Sequence, residues 1–168
     1  YARALQQTPE SRDALVGAAA VAVQQSRWQD ALRHYQTILG AFPNDEYARA
    51  GLLALASQGT TDERMTSEVN LLIRDNPEAA HLHFLLGSML AADDLWRDAQ
   101  AAFFDALYWD KRNADYAYNL AVAMDHINQP AQARNYYRQA LVLGEGESVN
   151  FDRSAVTRRL EQIEAAKL

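Results

Sequence analysis

Trp96-Arg97-Asp98-Ala99-Gln100-Ala101-Ala102-Phe103-Phe104-Asp105-Ala106-Leu107 decides how this chain is read, because its pattern recurs. Ala99, the aromatic Phe103 four residues later and Ala106 three further on share one face of a helix. Trp28-Gln29-Asp30-Ala31 leads in the same way into Tyr35, Ile38 and Leu39, and Ala133 leads into Tyr137, Ala140 and Leu141. The recurrence has a fixed length: Ala31, Met65, Ala99 and Ala133 lie 34 residues apart, as do Tyr35, Val69, Phe103 and Tyr137, and Ile38, Leu72, Ala106 and Ala140. A preceding segment keeps the same register, with Ala18, Leu52, Leu86 and Leu120 beside Ala19, Leu53, Gly87 and Ala121. A constant period of this size marks stacked copies of one supersecondary unit.

Reading outward from the repeat, the spacing predicts helices over 11–25, 27–41, 46–57, 62–74, 78–92, 96–109, 114–127, 130–143 and 152–166, and no segment alternates with a period of two. Ser11 is a candidate N-cap, Thr60 and Thr61 are candidates for the helix from Asp62, and Pro130 suits a first helical position. Stops fall at Phe42-Pro43-Asn44-Asp45, Gln58-Gly59, Asp75-Asn76-Pro77, Asp93-Asp94, Asn128-Gln129 and Gly144-Glu145-Gly146. Subtracting the period from Pro43, Tyr35 and Ile38 gives Pro9, Tyr1 and Ala4, so residues 1–10 read as the tail of an earlier unit. The expected organisation is one domain over 1–168, with repeats at 12–45, 46–79, 80–113 and 114–147 and a capping helix at 150–168. Small residues let the two helices of a hairpin approach closely: Ala19, Gly87 and Ala121 are expected to meet Ala31, Ala99 and Ala133. The aromatic one turn on is expected to fill the gap against the following hairpin, so Trp28, Tyr35, Phe103 and Tyr137 are assigned to packing.

The residues quoted resemble the tetratricopeptide repeat (TPR) family, most clearly Leu86-Gly87, Leu90, Ala99, Phe103 and Ala106. Ala31, Tyr35 and Pro43, and then Leu120, Ala121, Ala133, Tyr137 and Ala140, carry it in other units. The resemblance covers nearly the whole chain and implies an all-α, right-handed solenoid of stacked antiparallel helix pairs, about four repeats plus a C-terminal cap. The second unit departs most, with Met65 at the small position and Asp62 where Trp28 and Trp96 stand. A narrower resemblance, carried by Tyr118 to Val122, Asp125-His126, Tyr136 to Leu141, Phe151-Asp152 and Arg158-Arg159-Leu160, is to bacterial TPR proteins of pilus biogenesis. It implies a place in the periplasm or cell envelope, behind a membrane anchor.

Composition narrows the chemistry. Apolar residues make up 49% and charged residues 23% of the 168, a globular balance. There is no cysteine, so disulfides and thiolate sites are excluded. A net charge of −6 without a basic stripe argues against nucleic acid. No apolar run reaches the length of a membrane span, and a chain that starts without Met carries little targeting information. His81 and His83 are two apart on an expected helix and so point to different faces, with His83 toward the helix pair and His81 toward the groove; a helical metal pair needs three or four. His34 and His126 are isolated, and Asp93-Asp94 and Glu145/Glu147 sit in turns. No phosphate loop or nucleophile elbow occurs. The sequence therefore reads as non-enzymatic, with no metal and no cofactor.

What the TPR resemblance implies is binding. In such arrays the first helix of each pair lines the concave face. The register places there Asp13, Val16, Gly17 and Ala20; Tyr47, Ala50, Gly51 and Ala54; His81, Phe84, Leu85 and Ser88; and Asp115, Tyr118, Asn119 and Val122. Of these, Tyr47, His81, Phe84, Ser88, Asp115, Tyr118, Asn119 and Val122 are the candidate partner-binding residues, in a groove suited to an extended or helical peptide with apolar anchors. Asn119 matches the asparagine of TPR domains that clamp chaperone C-terminal carboxylates, but no Lys or Arg stands on the stripe to offset desolvation of that carboxylate. The plainer account of Asn119 is an amide bonded to a neighbouring helix. The expected function is a scaffold for a protein or peptide, in pilus or envelope assembly. The alternatives are a module that self-associates through an apolar edge at Tyr1, Ala4 and Leu5, and the targeting arm of a larger enzyme.

Overall fold

The computed structural model describes residues 11–43, 45–56 and 63–165. The readings made on residues 1–10, on Asn44, on Gln58 to Asp62 and on 166–168 lie outside the described residues, the apolar edge at Tyr1, Ala4 and Leu5 among them. Within the described residues the secondary structure is all helix: α1 (Arg12–Gln24), α2 (Trp28–Ala41), α3 (Glu46–Ala56), α4 (Glu63–Asp75), α5 (Ala80–Ala92), α6 (Trp96–Trp109), α7 (Ala114–His126), α8 (Pro130–Leu143) and α9 (Arg153–Ala165). They divide into two compact units, residues 1–68 and 69–168, with the boundary inside α4. In the first, α1 packs on α2 and α2 on α3; in the second, α5 packs on α6, α6 on α7, α7 on α8 and α8 on α9.

The period is written into the backbone as well as the side chains. Three connections, Gln25–Arg27, Asp93–Leu95 and Ile127–Gln129, turn one helix back along the next. Each has its middle residue in the left-handed region: Ser26 (φ 55°), Asp94 (φ 60°) and Asn128 (φ 60°). The closing bonds are the same in all three. Arg27 N–H donates to Ala22 C=O, Leu95 to Leu90 and Gln129 to Met124, each at 2.9 Å. Ser26, Asp94 and Asn128 donate to the carbonyls of Val23, Ala91 and Asp125 at 3.0–3.1 Å. This paired closure satisfies carbonyls that a helix end leaves open.

Helix starts follow the same register. Asp45 begins α3, accepting from Ala48 N–H at 2.9 Å, and Asn113 begins α7, accepting from Asp115 N–H at 3.1 Å and Tyr116 N–H at 3.2 Å. Burial alone would raise the Asp45 pKa, but the Ala48 N–H and the Arg12 guanidinium at 2.5 Å together hold it below the usual range. The equivalent residue before α5 is Ala79, which has no side-chain acceptor. That helix starts at Ala80 rather than at the expected Glu78, because Pro77 and Glu78 form a turn closed by Ala79 N–H to Asn76 C=O at 3.1 Å. Ser11 stands at the N-cap of α1 without a side-chain capping bond.

The core is built from the repeat positions. Ala19, Ala31, Ala99, Ala121 and Ala133 are fully buried, and Leu32, Ile38, Leu82, Leu85, Phe103 and Leu120 are the large side chains around them. Gly87 is used differently from the expected contact with Ala99. A Cβ there would stand 2.6 Å from the Phe103 ring, so the glycine seats an aromatic of its own hairpin. Gly51 does the same for Tyr35 across consecutive helices, with a Cβ only 2.3 Å from the ring, which takes Gly51 out of the expected groove stripe. The 9% exposure of Met65 shows that the bulkier residue of the second repeat is also accommodated in a core.

The glycines give a signed test. Gly87→Ala is expected to destabilise by about 1–3 kcal/mol through overpacking against Phe103. Gly40→Ala, in a helix with no atom within 4 Å of the added methyl, should stabilise by about 0.5–1 kcal/mol. Urea unfolding midpoints of the two variants should move in opposite directions.

Candidate functional site

The first helices α5 and α7 carry most of the residues expected to bind a partner, and the repeat can be followed there contact by contact. Phe84 of α5 lies 5.6 Å, ring centre to ring centre, from Phe103 of α6 and 4.6 Å from Tyr116 of α7. One period later, Tyr118 of α7 lies 6.1 Å from Tyr137 of α8 and 4.7 Å from Phe151, stacked at 15°. Phe84 and Tyr118 are thus each sandwiched between their own hairpin and the next element of the chain. Such pairs contribute about 0.5–1.5 kcal/mol beyond the area they bury.

The two expected anchors differ in exposure. Phe84 is only 9% exposed and belongs to the core. Tyr118 is half-buried, and burial, then the nearby Asp152 carboxylate, raise its pKa. Leu85 and Gly17, expected on the same stripe, are buried too.

The other candidates divide by position. Tyr47 is 42% exposed in the first unit, edge-on to Tyr35 at 6.1 Å, and Ala50 has no described side chain. In the second unit His81 and Ser88 of α5 and Asp115, Asn119 and Val122 of α7 are half-buried. Ser88 Oγ donates to Phe84 C=O at 2.8 Å. Asn119 Nδ2 donates to Asp115 C=O of its own helix at 2.8 Å, so its amide turns inward along α7 rather than across to a neighbouring helix. The Asp115 carboxylate accepts from Asn150 N–H and Asn150 Nδ2, both at 2.8 Å. Asp115, Tyr118 and Asn119 are therefore brought together, with Asn150 and Phe151 laid against them. His83 is buried on the helix-pair side, its Nε2 2.8 Å from Pro77 C=O and its Nδ1 3.9 Å from Asp105. Among the described residues no group of three His, Asp or Glu is placed to hold a metal ion, and no helix is long and apolar enough to cross a membrane.

From the sequence, the segment that completes α7 reads only as a helix stop at Gly144-Glu145-Gly146 and the start of the capping helix. Gly144 is buried under Val149, whose Cγ1 would stand 2.8 Å from an added Cβ. Arg153 donates to Gly144 C=O and, at 2.8 Å, to Glu147 C=O, which folds the 144–152 connection back. Arg159 of α9 then grips Asp125 of α7 with a two-pronged fork, Nε to Oδ2 at 2.6 Å and Nη2 to Oδ1 at 2.7 Å. Arg138 also pairs with Glu164 across α8 and α9. The signal was available: Asp125 and Arg159 are one period apart.

Paired helices, the left-handed turns and the aromatic positions repeated every 34 residues define an all-α helical-repeat fold of the TPR type. No protein-family model and no curated protein matches the chain by sequence. Solved structures do match. A thermophilic TPR protein of Thermus thermophilus aligns over 97% of this chain and 86% of its own, with a TM-score of 0.58 at 20% identity. The pilF protein of Pseudomonas aeruginosa aligns over 95% of this chain and 70% of its own, with a TM-score of 0.61 at 18% identity. MamA of Desulfovibrio magneticus aligns over 86% and 82%, with a TM-score of 0.57 at 14% identity.

The buried phenols give a pH test. Burial, then Tyr47, pushes the Tyr35 hydroxyl up to about 12, and burial, then Asp125, raises Tyr137 as well. A raised folded-state pKa means full stabilisation below the unfolded value of about 10 and loss as pH climbs toward the folded value. Stability measured by urea should therefore fall between about pH 10 and pH 12, and Tyr35→Phe/Tyr137→Phe should flatten that decline.

Proposed function

We propose that this chain is a non-enzymatic protein-interaction scaffold that holds a peptide or helix of a partner along the first helices of its hairpins. The observation that carries this reading is a pair of half-exposed lines in register. His81 and Ser88 on α5 stand one period from Asp115 and Val122 on α7, and the positions between them, Phe84 and Tyr118, are covered by aromatic contacts. Asn119 sits on the α7 line where α5 has the buried Leu85. The reading places Phe84 and Tyr118 beneath the binding surface and gives contact to His81, Ser88, Asp115, Asn119 and Val122 of the second unit. An apolar Val122 with the Asn119 amide one turn away suits a peptide recognised by one or two apolar side chains and main-chain hydrogen bonds.

For the process, we infer bacterial pilus or envelope assembly, in the periplasm or cell envelope. Support comes from the likeness of residues 118–160 to TPR proteins of pilus biogenesis and from the fold shared with Pseudomonas aeruginosa pilF.

A photo-crosslinking amino acid placed at Val122 or Ser88 in cells should yield one discrete protein adduct. The same probe at Thr157, exposed on α9, should not yield it. An adduct from Thr157 alone, or none from either groove position, would remove this surface from consideration.

A further inference from the structure

We draw no further inference here: the strongest candidate, the notch between the Asp93–Leu95 and Ile127–Gln129 turns, where the Trp96 indole stacks on the His126 imidazole at 3.6 Å, is lined by Asp94 and Asp98 as well as by Arg97 and His126, and nothing in the structure shows what covers it.

Discussion

Two helices joined by a three-residue turn must lie almost against each other, and the side chain at their crossing decides whether they can. In this protein the crossing is kept narrow by alanine in most places and by glycine where an aromatic must enter. Gly87 leaves the space that the Phe103 ring fills, and Gly51 leaves that for Tyr35. Once Phe103 is seated, Phe84 has a surface to pack on, and Tyr118 packs in the same way on Tyr137. They in turn offer a second surface to Tyr116 and Phe151. Within the second unit cohesion passes along the chain through these ring contacts.

That chain of contacts ends in an improvised way. A further hairpin would bring a helix against Tyr118. The connection over 144–152 brings Asn150 and Phe151 instead, and α9 follows with its Arg159 fork on Asp125. The Asp115 carboxylate is thereby bonded, and the Tyr118 ring face covered, by the chain's own residues. What α7 leaves half-exposed is a narrower line through Asn119 and Val122.

Much of this was legible before any coordinates. A period of 34 residues with alanine, an aromatic and an aliphatic residue in constant phase specifies helix pairs, their order and most of the core. The helix limits differ by a residue or two, as at Glu78, which is held in the turn closed by Ala79 N–H to Asn76 C=O. The facing of the first-helix aromatics was harder to read. Helical spacing gives the angle of Phe84 and Tyr118 around their axes but not what lies across from them, and the residues across from them, Tyr116 and Phe151, sit one period downstream at slightly different phases. Phe151 is also outside a helix, where periodicity carries no information. The left-handed turn positions were hidden because Ser26, Asp94 and Asn128 take the place where glycine is the usual signal.

In the second unit the aromatic side chains Phe84 and Tyr118 of the first helices hold neighbouring elements together, and the proposed recognition uses the residues beside them. Amide hydrogen exchange on Tyr118→Ala tests this most directly. The account predicts that amides of α9 lose protection by a factor of about 10 or more, as expected when a stabilising contact worth about 1.4 kcal/mol or more is removed, with α5 and α6 little changed. Protection in α9 equal to that of the unaltered chain would contradict it, and would return Tyr118 to the binding surface.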